Sequence, residues 1–327
     1  MKFEFAVGPT FNFINAFAEK FNVPVFKNSL TIPAVMGEGT IKMIDVEPGF
    51  KLVIHHYKLK QAFHLKRLSS EGPNELVSIV FNSNEVPTDS IEDQQEAIRF
   101  LKKNGSAIQI ASSILGTETF FPKDAEVYFT VIGIKASLLA TILKIEKENA
   151  LVKKILHGNT TFFFHENMFA DVKRILEQLS RINELDALSS LYYKIKTAEL
   201  LYLLFSKLLA RESLHISTVN KSDIEKLYAV RTAIIADVSI PPKLNELAVM
   251  AGMSESKMKQ LFKQIFGDTI YNYYLKERME EAAFLIKQAG YSVSEAGYHL
   301  GFSNLSHFSR LFEKHHGVTP KKYSYTG

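Results

Sequence analysis

Hydrophobic positions change their period along this 327-residue chain. From about Thr31 to Thr141, short runs of β-branched and aromatic residues alternate with turn signals. Ile41 to Val46, Lys51 to Leu59, Glu75 to Asn82, Ala107 to Ser113 and Val127 to Ile134 are predicted strands. Glu47-Pro48-Gly49, Glu71-Gly72-Pro73 and Phe121-Pro122-Lys123 are predicted turns, because Pro and Gly supply the dihedrals that reverse a chain. Many short strands with no long helices between them predict an antiparallel sandwich or barrel. One interruption, Thr88 to Lys103, sets Ile91, Gln95, Ile98 and Leu101 or Lys102 on a common face, as a helical insertion or lid would. Gly37-Glu38-Gly39 lacks a following helix and is expected to be only a turn.

From about Asn167 to Leu214 the period becomes 3.6. Met168, Val172, Ile175 and Leu179 mark one helix; Leu188, Leu191, Ile195, Ala198, Tyr202 and Phe205 mark a longer one. Tyr192, Tyr193, Tyr202 and Leu203 make the longer helix apolar on more than one face. Its stripe either covers the sheet or packs against its counterpart in a second chain, as in a homodimer. The polar run Arg211 to Ser222, with Ser213, is the expected linker, and Ser222 or Asp223 is an N-cap for the helix after it. The predicted fold is α+β: a β-rich sandwich or barrel (cupin-like) over 1–150, trailing helices for linkage or dimerisation over 151–215, and an all-α domain over 216–327.

That last region contains an internal repeat. Leu247-Ala248 and Ala251 lead into Gly252-Met253-Ser254, then Met258, Leu261-Phe262, Ile265-Phe266 and Gly267. Ala296-Gly297 and Leu300 lead into Gly301-Phe302-Ser303, then Phe308, Leu311-Phe312 and Gly317. The glycine-apolar-serine turns lie 49 residues apart and the Leu-Phe pairs 50 apart, so the second turn carries one extra residue. In each copy a glycine closes a short helix, an apolar residue plugs the corner, and the serine caps the next helix. Such a turn fixes two helices at a steep angle and lets the second protrude, as in helix-turn-helix units. A helix of about 10–12 Å fits the roughly 12 Å major groove of DNA. Between the copies, Thr269 to Gln288 reads as one continuous helix, with Tyr273, Tyr274, Met279, Ala282, Ala283 and Ile286 available to a core. Its length of roughly 30 Å is close to the roughly 34 Å between successive major-groove faces.

Residues 225–327 resemble the DNA-binding domain of the AraC/XylS family of bacterial transcription regulators. The matching elements run from Leu244-Asn245-Glu246-Leu247-Ala248 through Arg278-Met279 and Ala282 to Gly317-Val318-Thr319-Pro320-Lys321-Lys322-Tyr323. Gly297 stands where the family usually has alanine. A glycine inside a helix costs about 1 kcal/mol relative to Ala, so the second unit is expected to be the more weakly held. The resemblance implies a first recognition helix from about Glu255 to Phe266, with Ser256, Lys259 and Gln260 facing the groove and Lys263 nearer the backbone. It implies a second from about Asn304 to His316, with Leu305, Ser306, His307 and Arg310 facing the groove. Gln pairs bidentately with adenine, Arg with guanine, and Leu305 suits a thymine methyl. Lys321 and Lys322, with the helix N-termini, are the implied phosphate contacts. Met258, Leu261, Phe262, Phe308, Leu311 and Phe312 have core spacing.

Charge adds only a little. The chain carries a formal net charge of +4, and residues 225–327 hold 13 Lys/Arg against 10 Asp/Glu, so the surplus leans towards this region. With no cysteine, disulfides, thiolate metal sites and a Cys nucleophile are excluded. No stretch approaches the roughly 20 apolar residues of a membrane span, and no secretory leader pattern opens the chain, which predicts a cytoplasmic protein. His55, His56 and His64 invite a metal reading, but neighbours in a strand point to opposite faces and no carboxylate follows at ligand spacing. No Ser/His/Asp arrangement, Walker loop or carboxylate pair is present. No catalytic residue, metal or cofactor is therefore expected, and an enzyme with an attached DNA module is disfavoured.

The reading is a DNA-binding transcriptional regulator whose partner is double-stranded promoter DNA. By resemblance it is a ligand-responsive activator, a homodimer, and a partner of RNA polymerase, with a small-molecule effector in the N-terminal domain. The aromatics Phe120, Phe121, Tyr128 and Phe129 either line an effector pocket or pack as core. The alternative is a regulator with no ligand, controlled by abundance or by a protein partner.

Overall fold

The five strands legible in the sequence lie side by side at the centre of one large sheet. In the computed structural model, residues 1–6, 12–69, 76–83, 107–157, 161–182, 187–211, 216–287 and 289–325 are described. They form two units, Met1–Ser222 and Asp223–Gly327. The predicted turn Glu71-Gly72-Pro73, the predicted helix Thr88 to Lys103, and residues Glu75, Ser213 and Gln288 lie outside the described residues.

In the first unit the strands are β1 (Lys2–Ala6), β2 (Ser29–Thr31), β3 (Gly37–Glu47), β4 (Phe50–Leu59), β5 (Phe63–Leu68), β6 (Leu76–Asn82), β7 (Ala107–Ser112), β8 (Thr117–Phe121), β9 (Glu126–Lys135) and β10 (Phe163–Asn167). Seven make an antiparallel sheet in the order β10-β7-β6-β9-β4-β3-β2, and three make a smaller sheet, β1-β5-β8. Within the smaller sheet β1 runs parallel to β5. The hairpin between β3 and β4 turns at Pro48-Gly49, as expected, with Glu47 opposite Phe50 and Gly49 at φ 84°. Gly37-Glu38-Gly39, expected as a turn, instead opens β3. A Cβ at Gly37 or Gly39 would lie within 2.3 Å of the carbonyl oxygen of Lys58 or His56, so these bare positions let β4 come close.

Alternation along the strands gives the large sheet two buried faces. Leu52 and Ile54 of β4 join one core, with Ile79, Ile110 and Ile132. Tyr57 and Leu59 join the other, with Ile41, Phe63, Phe121 and Phe129. The second face is covered by α1 (Phe13–Phe21) and the smaller sheet. The first is covered by α2 (Ala136–Leu143), α3 (Ala150–His157), α4 (Ala170–Ser180) and α5 (Ser189–Leu209). His55 is buried and stacks on Phe129 at 3.9 Å, whereas His56 is exposed and pairs with Glu126 at 3.2 Å. Burial pulls the His55 imidazole down to about 3, because charging it there would forfeit hydration. Phe121 and Phe129 are core, while Tyr128 lies on the opposite face and donates to the Leu176 carbonyl at 2.6 Å. The four aromatics therefore do not share one pocket.

The longer helix α5 covers the sheet with one part of its apolar surface and leaves another part exposed. Tyr193, Leu200, Leu201, Leu204 and Leu208 are buried in the sheet's core, while Leu188, Leu191, Ile195 and Tyr202 stay exposed on another side. Its last turn is tied down by Asn149, whose side-chain amide donates to the Leu208 and Leu209 carbonyls at 2.8 and 3.2 Å. Arg211 and Lys207 hold the buried Glu166 of β10 at 2.6 and 3.1 Å. Among the described residues no helix is long and apolar enough to cross a membrane.

The second unit is all-helical: α6 (Lys221–Ala236), which begins just before it, α7 (Leu244–Ala251), α8 (Glu255–Phe266), α9 (Ile270–Lys287), α10 (Val293–His299), α11 (Leu305–His316) and α12 (Pro320–Tyr325).

Candidate nucleic-acid interface

Helices α7 and α8 form the first turn, and α10 and α11 the second. Both turns close with the same backbone bond. Met253 N–H donates to the Ala248 carbonyl at 3.1 Å, and Phe302 N–H donates to the Gly297 carbonyl at 3.0 Å. Gly252 and Gly301 take the left-handed conformation, at φ 58° and 76°. At Gly301 the glycine is needed twice over, since a Cβ would stand 2.6 Å from the Ser239 carbonyl oxygen.

The caps differ between copies. Ser254 caps α8, its hydroxyl accepting from Lys257 N–H at 3.3 Å. The expected cap of the second copy, Ser303, does not perform that role. Asn304 does, its side-chain carbonyl accepting from His307 N–H at 3.0 Å. The extra residue in the second turn moves the helix start one place on, which accounts for the 49-versus-50 spacing.

Each protruding helix buries one face. Met258, Leu261, Phe262, Ile265 and Phe266 of α8 are buried, as are Phe308 and Phe312 of α11; Leu311 is half-buried. On the opposite face of α8, Ser256, Lys259 and Gln260 are exposed and Lys263 is half-exposed. Their spacing of three, four and seven residues makes one stripe. Lys259 holds Glu255 at 2.8 Å, one turn earlier. An exposed pair of this kind contributes about 0.3–0.5 kcal/mol, little enough to be exchanged for a phosphate.

On α11, Ser306, His307 and Arg310 are exposed and share a side of the helix. Leu305 is half-buried, and its Cδ2 lies 2.6 Å from where a Cβ on Gly297 would stand. The glycine that departs from alanine thus seats a leucine of the protruding helix. Lys321 and Lys322 are exposed on α12, whose Tyr323 packs on Phe312 at 5.3 Å between ring centres.

Helix α9 joins the two turns. Its 18 residues span about 27 Å at about 1.5 Å each. At its start Tyr273 packs edge-on against Phe262 of α8 at 5.5 Å, and its hydroxyl accepts from Arg231 of α6 at 2.6 Å. Further along, Arg278 is buried. Its guanidinium donates through Nε (3.0 Å) and Nη2 to the Leu300 carbonyl at the end of α10, and lies 3.8 Å over the Phe302 ring. Arg278 therefore satisfies an orphan carbonyl of α10 and flanks the residue that plugs the corner. The sequence marked Arg278 only as part of a pattern; an arginine inside an apolar helical stripe was the available signal. Glu295 completes a capping box with Ser292 at the start of α10, and those hydrogen bonds hold its carboxyl below the usual carboxylate range.

Residues 247–325 match a family model described as a helix-turn-helix domain. The chain is 32% identical over 155 residues to the HTH-type transcriptional activator CfaD of Escherichia coli, a match covering 46% of this chain and 54% of CfaD. It therefore spans about half the length of that relative. It is 32% identical over 85 residues to the probable transcription factor PqrA of Proteus vulgaris, covering 26% of this chain and 70% of PqrA. Among solved structures, a transcriptional regulator of Chromobacterium violaceum with an AraC-type DNA-binding domain matches 33% of this chain and 100% of its own, with 28% identity and a TM-score of 0.30.

Proposed function

The chain belongs to the AraC/XylS family of transcriptional regulators, and from that premise we propose that it is a ligand-responsive activator that sets two helices into successive major grooves of promoter DNA. The observation that carries this reading is the pair of turns closed by one hydrogen-bond pattern, each presenting an exposed polar stripe, at either end of a single rigid helix. Ser256, Lys259 and Gln260 read bases from α8 with Lys263 at the backbone. Ser306, His307 and Arg310 read from α11, with Arg310 the guanine reader. Leu305 divides its surface between Gly297 and a thymine methyl. Lys321 and Lys322 hold phosphates.

Two further parts of the reading concern the first unit. Its exposed residues Leu188, at the N-cap of α5, and Leu191, Ile195, Ala198 and Tyr202 within the helix recur at alternating steps of three and four. That is the spacing of a helix-pair seam, and its occupant is the same helix of a second copy. RNA polymerase is the partner that an activator of this family engages. The effector part of the reading rests on the family resemblance, which assigns the β-rich domain to a small molecule.

Selection of bound sequences from random duplexes, followed by gel shifts, tests the DNA part. Arg310→Ala is expected to weaken specific binding by about 1–3 kcal/mol without unfolding the chain, and unchanged specificity would refute the assignment. Ile195→Glu is expected to leave a monomer in sedimentation; an unaltered dimer would place the interface elsewhere. Thermal shifts of the full chain against small polar apolar-bodied compounds separate the effector reading from control by abundance, since only a ligand raises Tm.

A further inference from the structure

A cluster at the far end of α11 takes no part in the DNA-facing stripes. Glu280 of α9 and His315 and His316 of α11 bring a carboxylate oxygen and one nitrogen of each ring within 4.8 Å of one another. We propose that Glu280, His315 and His316 bind a borderline divalent transition cation of the zinc type, which pins the end of α11 to the connecting helix.

The donor set suits such an ion. Two imidazoles and a carboxylate, with water in the fourth position, are a recurring zinc arrangement, and imidazole disfavours magnesium and calcium. His315 Nε2 lies 2.8 Å from Glu280 Oε1. Bonds of about 2.0–2.2 Å in a tetrahedral site hold ligands roughly 3.4 Å apart. The His315–Glu280 separation is shorter than that value by about 0.6 Å and none of the three exceeds 4.8 Å, so small side-chain rotations suffice. His316 is already positioned: Phe312 and Tyr323 flank its ring at 4.4 and 5.2 Å, and its Nε2 reaches the Met279 carbonyl at 3.1 Å. An imidazole fixed by a carbonyl on one nitrogen is the usual state of a metal-bound histidine. Both histidines sit in the last turn of α11, where the unpaired carbonyls favour positive charge. Nothing in the sequence spacing signals the site, because Glu280 lies 35 residues from His315.

The consequence is a clamp on the helix that carries Ser306, His307 and Arg310. The test uses the full, DNA-free chain, so its failure leaves the DNA-binding reading untouched. Calorimetric titration with zinc, and visible absorption on adding cobalt, are expected to show one saturable site per chain, with magnesium giving none. Glu280→Gln and His315→Gln should each weaken zinc binding about tenfold or more, with metal-free circular dichroism unchanged. Histidine ring NMR of the unsubstituted chain gives the answer even if a variant unfolds: zinc should move the His315 and His316 signals before those of the other histidines. Absence of saturable binding, binding equally tight in both variants, or first movement of other histidines would overturn the proposal.

Discussion

A methyl group added at Gly297 would meet Leu305 Cδ2 at 2.6 Å and Phe308 Cδ1 at 3.1 Å. By helix propensity alone, Gly297→Ala should stabilise α10 by about 1 kcal/mol. The structure predicts the opposite sign. Forcing a methyl into a filled corner costs about 1–3 kcal/mol, and Phe308 and Phe312 behind it are fully buried. The net expectation is a loss of about 1 kcal/mol, from these two figures taken together. Hydrogen exchange of amides in α10 and α11 of the full chain reads this locally, as exchange faster by about fivefold per kcal/mol. Shortening the obstructing side chain should reverse the effect. In the Leu305→Ala background, Gly297→Ala is expected to be neutral or stabilising, a coupling of 1 kcal/mol or more, typical of touching residues. Slower exchange in Gly297→Ala alone, with no coupling to Leu305, would show that the glycine is merely a propensity defect.

Three other substitutions probe the frame. Asn304→Ala should cost about 1 kcal/mol through loss of the α11 cap, whereas Ser303→Ala should change little; equal effects in urea denaturation would contradict the shifted cap. Arg278→Lys cannot donate twice to the Leu300 carbonyl, and is expected to lower stability by about 1.5–3 kcal/mol while keeping the charge; an unchanged midpoint would show that the contact is idle. In the first unit, His55 stays neutral when folded down to about pH 3, but takes up a proton near its ordinary 6.5 when unfolded. The unfolded chain thus binds the extra proton between those values, so stability falls as pH falls from about 6.5 to 3. The expected slope is about 1.4 kcal/mol per pH unit, and calorimetry of His55→Phe should show it flattened by one proton; an unaltered slope would disprove it.

The sequence made the central strands β3, β4, β6, β7 and β9 legible because their apolar runs are long enough to show. The edge strands β2 and β10 and the small sheet β1-β5-β8 were not predicted. Lys2–Ala6 and Thr117–Phe121 are five residues each, and their pairing partners are remote in the chain. Helices α2 and α3, eight residues each, are too short for a period to emerge. The two protruding helices were readable because a repeated glycine-led turn is a local pattern. Long-range pairing was not readable: Asn149 tying off α5, Arg278 reaching Leu300, and Glu280 beside His315 bring together residues 22 to 60 positions apart. Alternation did foretell that His55 and His56 would part to opposite faces. The capping residue of α11 was misassigned because Ser303 and Asn304 are both good caps, and only the backbone decides between neighbours.

Hydroxyl-radical footprinting of the full chain on a selected duplex tests the central claim most directly. Two protected segments are expected on one side of the helix, about 10 base pairs apart centre to centre, with Lys259→Ala weakening one and Arg310→Ala the other. A single segment indifferent to both substitutions, or two segments on opposite sides of the duplex, would contradict the account.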